Sequence, residues 1–337
     1  MKKTLRTTGR SALFVILITC LVLSAACSSS TPAPTIEPTA LIEATAVVLP
    51  LTPTPTAEAS HTAESNFQDI AYAAASSAEL LDLYVPAGSG PFPVVLYVHG
   101  GGFRMGDKIL PVRRGIAARL LAAGYALASI NYRLSGEATF PAQIQDAKAA
   151  VRWLRAHASE YDLDPDRIAA WGDSAGANLV SLLGTSCGAP ELEGAELGNA
   201  EQSSCVQLVV DFYGPIDFVQ MDEQFAGTLC PQTHDKPNSA ESAYVGGPIQ
   251  ENRDLVQAAN PITYITPDDP PFFIEHGTLD CTVPFQQSQL LYDALTLVLG
   301  ADNVKLTLLE GADHGDDQFV SRSNLDLVLE FLDAHLK

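Results

Sequence analysis

From about residue 68 the apolar positions of the chain swing between short continuous runs and stretches of helical spacing, which predicts strands and helices in turn. A meander comes first, with strands over 68–73 and 80–85, followed by a central strand in which Val94, Val95, Leu96, Tyr97 and Val98 are all apolar. Ile116, Leu120 and Leu121 share one face of a helix over 111–123, and Ile144, Ala147, Val151 and Leu154 share one face of another over 142–157. Further strands fall at 127–132, 168–171, 206–212, 272–275 and 304–309, with helices at 175–183, 284–299 and 325–336. Unbroken apolar strands set between helices are the pattern of an α/β fold with a mostly parallel sheet covered on both faces. Ligands on such a sheet bind beyond the carboxyl ends of its strands. The stretch 214–260 is long for a simple connection and reads as a small cap over that edge. Its Phe218, Met221, Phe225 and Tyr244 are candidates either for a pocket lining or for the cap's own core.

Two glycine-rich turns close two of the strands. His99-Gly100-Gly101-Gly102 follows the central strand, and Gly172-Asp173-Ser174-Ala175-Gly176 follows Ile168-Ala169-Ala170-Trp171. The second has the G-x-S-x-G form of a nucleophile elbow, a turn so sharp that the serine hydroxyl stands exposed above the sheet. The first has the form of an oxyanion-hole loop, whose bare backbone can aim N–H groups at a developing negative charge. A lone G-x-S-x-G is a weak signal because glycine and serine are common. Its pairing with an upstream H-G-G-G, each at a strand end, is far more specific and points to acyl transfer.

A serine hydroxyl needs a histidine to take its proton and a carboxylate to orient that histidine. On sheets that carry such an elbow the acid and then the base follow the serine in chain order, which leaves His234, His276, His314 and His335. His335 lies in the terminal helix pattern, where it faces solvent. His276 closes a buried strand and reads as a packing residue beneath the site. His234 sits in a polar, proline-bearing stretch with no strand before it. His314 follows the strand over 304–309 and a turn, and is the expected base. Asp280 stands just past the preceding strand and is the expected acid, whereas Asp313, Asp316 and Asp317 read as loop solvation and Asp268 and Asp269 lie at the wrong strand end.

These stretches, together with Asn131-Tyr132-Arg133-Leu134-Ser135, Phe140-Pro141-Ala142-Gln143, Asp164-Pro165-Asp166-Arg167 and His276-Gly277-Thr278-Leu279-Asp280, resemble the carboxylesterases and lipases of the alpha/beta-hydrolase-3 type. They are similar above all to bacterial feruloyl and acetylxylan esterases. The resemblance runs from about Phe67 to the C-terminus. It implies the alpha/beta-hydrolase fold, nucleophile Ser174, acid Asp280, base His314 and an oxyanion hole from the backbone N–H groups of Gly101, Gly102 and Ala175. Ala177 and Asn178 depart from the Gly-Gly or Gly-His usual after the elbow, a change expected to touch helix packing. The regions 187–205 and 218–254 also fit the family pattern poorly.

The chain of 337 residues is 47% hydrophobic, ample for one large domain, and carries a formal net charge of -21. So acidic a chain argues against nucleic acid or an anionic membrane surface as a partner. No phosphate-loop, C-x-x-C or H-E-x-x-H motif occurs, so neither a nucleotide nor a metal cofactor is implied. A basic start, an apolar run over 12–23 and small residues before Cys27 read as a signal peptide over 1–26. Cys27 stands where a bacterial lipobox places the lipidated residue, which would hold the protein at a membrane by acyl chains; plain secretion is the alternative. The Ser/Thr/Pro-rich stretch 27–63 is expected to be a disordered tether, leaving 64–337 as the catalytic domain. Cys20 leaves with the leader, so Cys187, Cys205, Cys230 and Cys281 remain for two disulfides in an exported domain. Three pairings are open; the expected one joins Cys187 to Cys205 and Cys230 to Cys281.

The leading expectation is therefore a serine esterase acting on small or aromatic esters, including acetyl or feruloyl groups on polysaccharide. Two alternatives stand beside it: an exopeptidase similar to the prolyl oligopeptidase group, and a catalytically silent surface-binding module.

Overall fold

The computed structural model describes residues 66–337. The expected leader, the lipidation site Cys27 and the tether over 27–63 lie outside the described residues. Chain order runs β1 (Phe67–Ala71), β2 (Leu80–Tyr84), β3 (Phe92–Val98), α1 (Leu110–Arg113), α2 (Ile116–Ala122), β4 (Ala126–Ile130), α3 (Ala142–Ala156), β5 (Leu163–Asp173) and α4 (Ala175–Thr185). It continues through β6 (Leu208–Phe212), α5 (Met221–Gln224), α6 (Ala240–Val245), α7 (Arg253–Ala258), β7 (Phe272–Gly277), α8 (Gln286–Leu299), β8 (Val304–Leu309) and α9 (Arg322–Leu336).

The strands form one eight-stranded sheet in the order β1-β2-β4-β3-β5-β6-β7-β8. The opening meander pairs antiparallel, β1 with β2 and β2 with β4, and every later pairing is parallel. Along β3, Val94, Leu96 and Val98 join the core on one face and Val95 and Tyr97 join the core on the other. The first core takes in Ile144 of α3, Leu179 of α4 and Leu291 of α8; the second takes in Leu120 of α2 and Val328 of α9. Burial on both sides is why the central strands read as unbroken apolar runs rather than alternating ones. This is the alpha/beta-hydrolase fold.

One helix differs from expectation. The helix expected over 111–123 is broken into α1 and α2 at Gly115, whose φ of +75° is a left-handed conformation open to glycine and strained for other residues. The break sends Arg114 inward, against the loop after β8.

Both expected disulfides are present. Cys187–Cys205 closes a loop that lies on α3, where Lys148 Nζ donates to Glu193 Oε1 at 2.6 Å and Arg152 donates to the carbonyls of Glu193 and Gly194 at 2.7 and 2.8 Å. Those bonds satisfy two cations that α3 buries almost completely. Cys230–Cys281 ties the segment over 214–260 to the loop after β7. The two ends of that segment are clasped by Asn178, whose Nδ2 donates to the carbonyls of Pro215 at 3.0 Å and Ala259 at 3.2 Å. Asn178 thus does more than pack its helix, which was all its departure from the family pattern suggested. Phe218, Met221, Phe225 and Tyr244 are all buried and none lines the main cleft, so they are the cap's own core. Tyr244 stacks on Phe103 with ring centroids 3.8 Å apart.

Candidate active site

Ser174 sits on the turn between β5 and α4 with φ 53° and ψ -121°, a strained conformation for a residue with a side chain. The turn closes because its flanking glycines leave room. A Cβ on Gly172 would lie 2.3 Å from the Gly176 carbonyl oxygen, and one on Gly176 would lie 2.0 Å from that of Val98. The N–H of Ser174 donates to Phe212 O at 2.9 Å, which pins the turn to β6.

Asp280 and His314 reach the serine from the loops after β7 and β8. Asp280 Oδ2 lies 2.7 Å from His314 Nδ1, and His314 Nε2 lies 3.0 Å from Ser174 Oγ. The other oxygen of Asp280 accepts from the N–H groups of Thr282 at 2.7 Å and Val283 at 2.9 Å. Burial alone would push the Asp280 carboxyl up, but hydrogen bonds and charge from His276 and His314 hold it well below the usual carboxylate range. The aspartate is therefore charged at any pH near neutrality. A hydroxyl facing an imidazole that is held in this way can give up its proton as it attacks a carbonyl carbon.

The other histidines fall largely where the sequence places them. His276 is fully buried beneath the site, 2.6 Å from Ser288 Oγ, 2.9 Å from Val283 O and 3.3 Å from Asp280 Oδ2. His335 is exposed on α9 beside Phe331. His234, set aside as the base, is buried on the cleft wall with Nδ1 3.0 Å from Glu241 Oε1. Burial would lower its pKa, yet the Glu241 contact and the charge of Asp222 raise it. Among the carboxylates, Asp313 does more than solvate its loop. Its Oδ1 accepts from the N–H groups of His314 at 2.7 Å and Cys281 at 3.4 Å, joining base loop to acid loop. Asp316 accepts from Gln318 N at 2.8 Å, Asp317 and Asp268 are exposed, and Asp269 accepts from Thr266.

The H-G-G-G loop is fastened to the elbow by Asp173. Its Oδ1 accepts from Gly100 N at 3.1 Å and from Tyr97 OH at 2.7 Å. Gly101, Gly102 and Ala175 line the same cleft as Ser174, and their N–H groups donate to no protein acceptor among the described residues. Ala175 also opens α4, so the positive end of that helix faces the cleft. The cleft has a volume of about 780 Å³ and is walled on its far side by cap residues, His234 and Ser239 among them. Among the described residues no group of three or more His, Cys, Asp or Glu side chains is arranged to hold a metal ion.

Residues 81–295 match the BD-FAE family. The chain belongs to that family. Ser174 and Asp280 fall inside the matched stretch of the BD-FAE pattern and His314 beyond its end, so the third member of the array is brought in by β8 and its loop. A probable carboxylic ester hydrolase of Mycobacterium tuberculosis, LipM, is 35% identical over 68% of this chain, which spans 52% of LipM's own length. A truncated carbohydrate esterase from gut microbiota superposes with a TM-score of 0.74 at 29% identity, covering 82% of this chain and 98% of that one. Est2, a thermophilic esterase of the planctomycete Thermogutta terrifontis solved with propionate bound, superposes with a TM-score of 0.63 at 26% identity over 81% of this chain and 94% of that one.

Four residues with a hold on the site escaped the sequence reading: Arg114, Tyr213, Asp173 in its fastening role, and His234. Tyr213 lays the edge of its ring against His314, centroids 4.7 Å apart, and its hydroxyl accepts from Arg114 Nη1 at 3.0 Å. Only the G-x-S-x-G frame around Asp173 offered a signal; Arg114 and Tyr213 act through contacts remote in sequence, and His234 pairs with Glu241 within the cap.

Proposed function

We propose that this BD-FAE chain is a serine esterase that cleaves short-acyl esters, with acylated carbohydrate as its substrate class, by an acyl-enzyme route. The observation that carries the reading is the unbroken line from Asp280 through His314 to Ser174, at 2.7 and 3.0 Å. Ser174 Oγ attacks the ester carbonyl while His314 Nε2 takes its proton, and Asp280 stabilises the imidazolium that forms. The N–H groups of Gly101, Gly102 and Ala175 meet the oxygen as it becomes negative. His314 then protonates the departing alcohol, and a water activated by the same nitrogen releases the acid from Ser174. The carbohydrate esterase and the propionate-bound esterase among its structural neighbours support the choice of substrate class. The two disulfides support a working place outside the reducing cytoplasm, in keeping with the leader expected over 1–26 and with Cys27 as its anchor.

The test is direct. The intact chain should label with a fluorophosphonate and hydrolyse p-nitrophenyl acetate, and Ser174→Ala should lose labelling and at least about 10⁴-fold in kcat. Unchanged turnover by Ser174→Ala would remove the serine from the reaction and the proposal with it.

A further inference from the structure

The chain has 19 cations against 40 acidic residues, yet Arg104, Arg114 and Lys236 all line the cleft that holds Ser174 and His314. Seven of the fifteen lysines and arginines among the described residues pair with a carboxylate, Lys108 and Lys148 among them, and Arg104, Arg114 and Lys236 are among those that do not.

Both arginines are instead held by neutral oxygens. Arg104 Nη2 donates to the cap carbonyls of Asn238, at 2.7 Å, and Ser239. Arg114 Nη2 donates to the carbonyls of Gly315 at 3.0 Å and Asp316 at 3.2 Å, while its Nη1 donates to Tyr213 OH. Such bonds fix a guanidinium in place without cancelling its charge. Two carboxylates share the cleft wall with these three cations: Asp173, which accepts from Tyr97 and Gly100, and Glu241, which faces His234. Asp173 adds attraction for Arg114 through space, but no oxygen of it reaches the guanidinium. Three cations against two carboxylates make the cleft wall far less acidic than the chain as a whole, which favours an anion there over the rest of the surface.

We propose that this cleft selects esters whose alcohol part carries a carboxylate, such as an acyl group on an acidic sugar. The inference rests on the esterase reading given above. The alcohol side is indicated because the departing oxygen must meet His314 Nε2, and Arg114 grips the residue next to His314. Arg104 and Lys236, exposed at the mouth, face the remainder of such an alcohol.

The experiment compares 3-acetoxybenzoate with 3-acetoxybenzamide, which differ in the charge of the alcohol and share the acyl group. The intact chain should turn over the carboxylate with a kcat/KM at least about tenfold higher, and 0.5 M NaCl should shrink that margin. In Arg104→Gln and Lys236→Gln, at exposed positions that leave the core untouched, the ratio should fall toward unity. Because each ratio is taken within one enzyme, a general loss of activity cancels out. Equal turnover of the two esters by the intact chain, or a preference that both substitutions leave unaltered, overturns the inference while the esterase reading stands. If neither ester is cleaved and Ser174 resists the fluorophosphonate, the esterase reading itself fails and takes this inference with it.

Discussion

At the scale of single residues, the geometry of Ser174, His314 and Asp280 depends as much on the side chains that hold them as on the three themselves. Asp173 is the clearest case, since one oxygen takes both the Tyr97 hydroxyl and the Gly100 N–H and so joins the oxyanion loop to the elbow. Asp173→Ala should leave the buried Tyr97 hydroxyl without a partner, destabilising the fold by about 1–3 kcal/mol. With the loop freed, kcat should fall by about 10- to 100-fold, a fraction of the effect of removing one oxyanion donor outright. Urea unfolding and p-nitrophenyl acetate kinetics on the same variant check both halves, and full activity with unchanged stability contradicts the fastening role. The sequence could single out Ser174, Asp280 and His314 as candidates because each follows a strand end within a few residues and so carries its own local signal. Arg114 has no such signal. It meets Gly315 across 201 positions, and nothing near it in the chain announces that a break at Gly115 will turn it inward.

At the scale of elements, the strands and the place of the cap were legible and the cap's own elements were not, for a physical reason. A strand buried on both faces is apolar, so β3 and the Ile168–Trp171 part of β5 show themselves by composition, whereas the polar, partly exposed Asp164–Arg167 at the start of β5 do not. The cap's elements are single turns such as α5 and α6, fastened by Asn178 and by a disulfide rather than by periodicity. The same logic isolates an anomaly in β7, where Glu275 is fully buried and Asn324 Nδ2 donates to its Oε2 at 2.7 Å. Its Oε1 and Asn324 Oδ1 are both buried without partners, a pairing that a protonated carboxyl can serve. Burial pushes this carboxyl up to about 8, against the opposing pull of the Asn324 bond and Lys305. In the unfolded chain Glu275 releases its proton near the ordinary glutamate value of 4.5, while the folded chain keeps it until about 8. The unfolded state then binds fewer protons across that window, so the stability that Glu275 contributes is full below it and is lost as pH rises through it. Glu275→Gln keeps the neutral shape, so it should raise stability by a few kcal/mol (order of magnitude) at pH 8 and by almost nothing at pH 4.5. Denaturant melts at both values test this, and a gain of equal size at the two would mean that ionisation of Glu275 plays no part.

At the scale of the whole molecule, the sheet supplies a rigid rim and the two disulfides fasten different things to it. Cys187–Cys205 secures a loop on α3, away from the cleft, and spans 18 positions. Cys230–Cys281 spans 51 positions and joins the cap to the residue that follows Asp280. That residue's N–H also faces Asp313, which holds the N–H of His314, so cap, acid loop and base loop meet at one cysteine. Chain-entropy arguments give both bridges a stabilising effect of about 3–4 kcal/mol, somewhat larger for the longer loop. Their effects on catalysis should differ far more than their effects on stability. Cys187→Ser with Cys205→Ser should lower Tm while leaving kcat within about twofold, because nothing it releases touches the reacting groups. Cys230→Ser with Cys281→Ser should lower Tm by a similar amount and also reduce kcat by about tenfold or more, since a misplacement of the order of 1 Å in a catalytic group has effects of that size or larger. Assays run well below both melting temperatures separate the two consequences. Equal kcat values for the two double variants would mean that the Asp280 loop keeps its place without the cap, and that Thr282, Val283 and Asp313 suffice to hold the acid against the base.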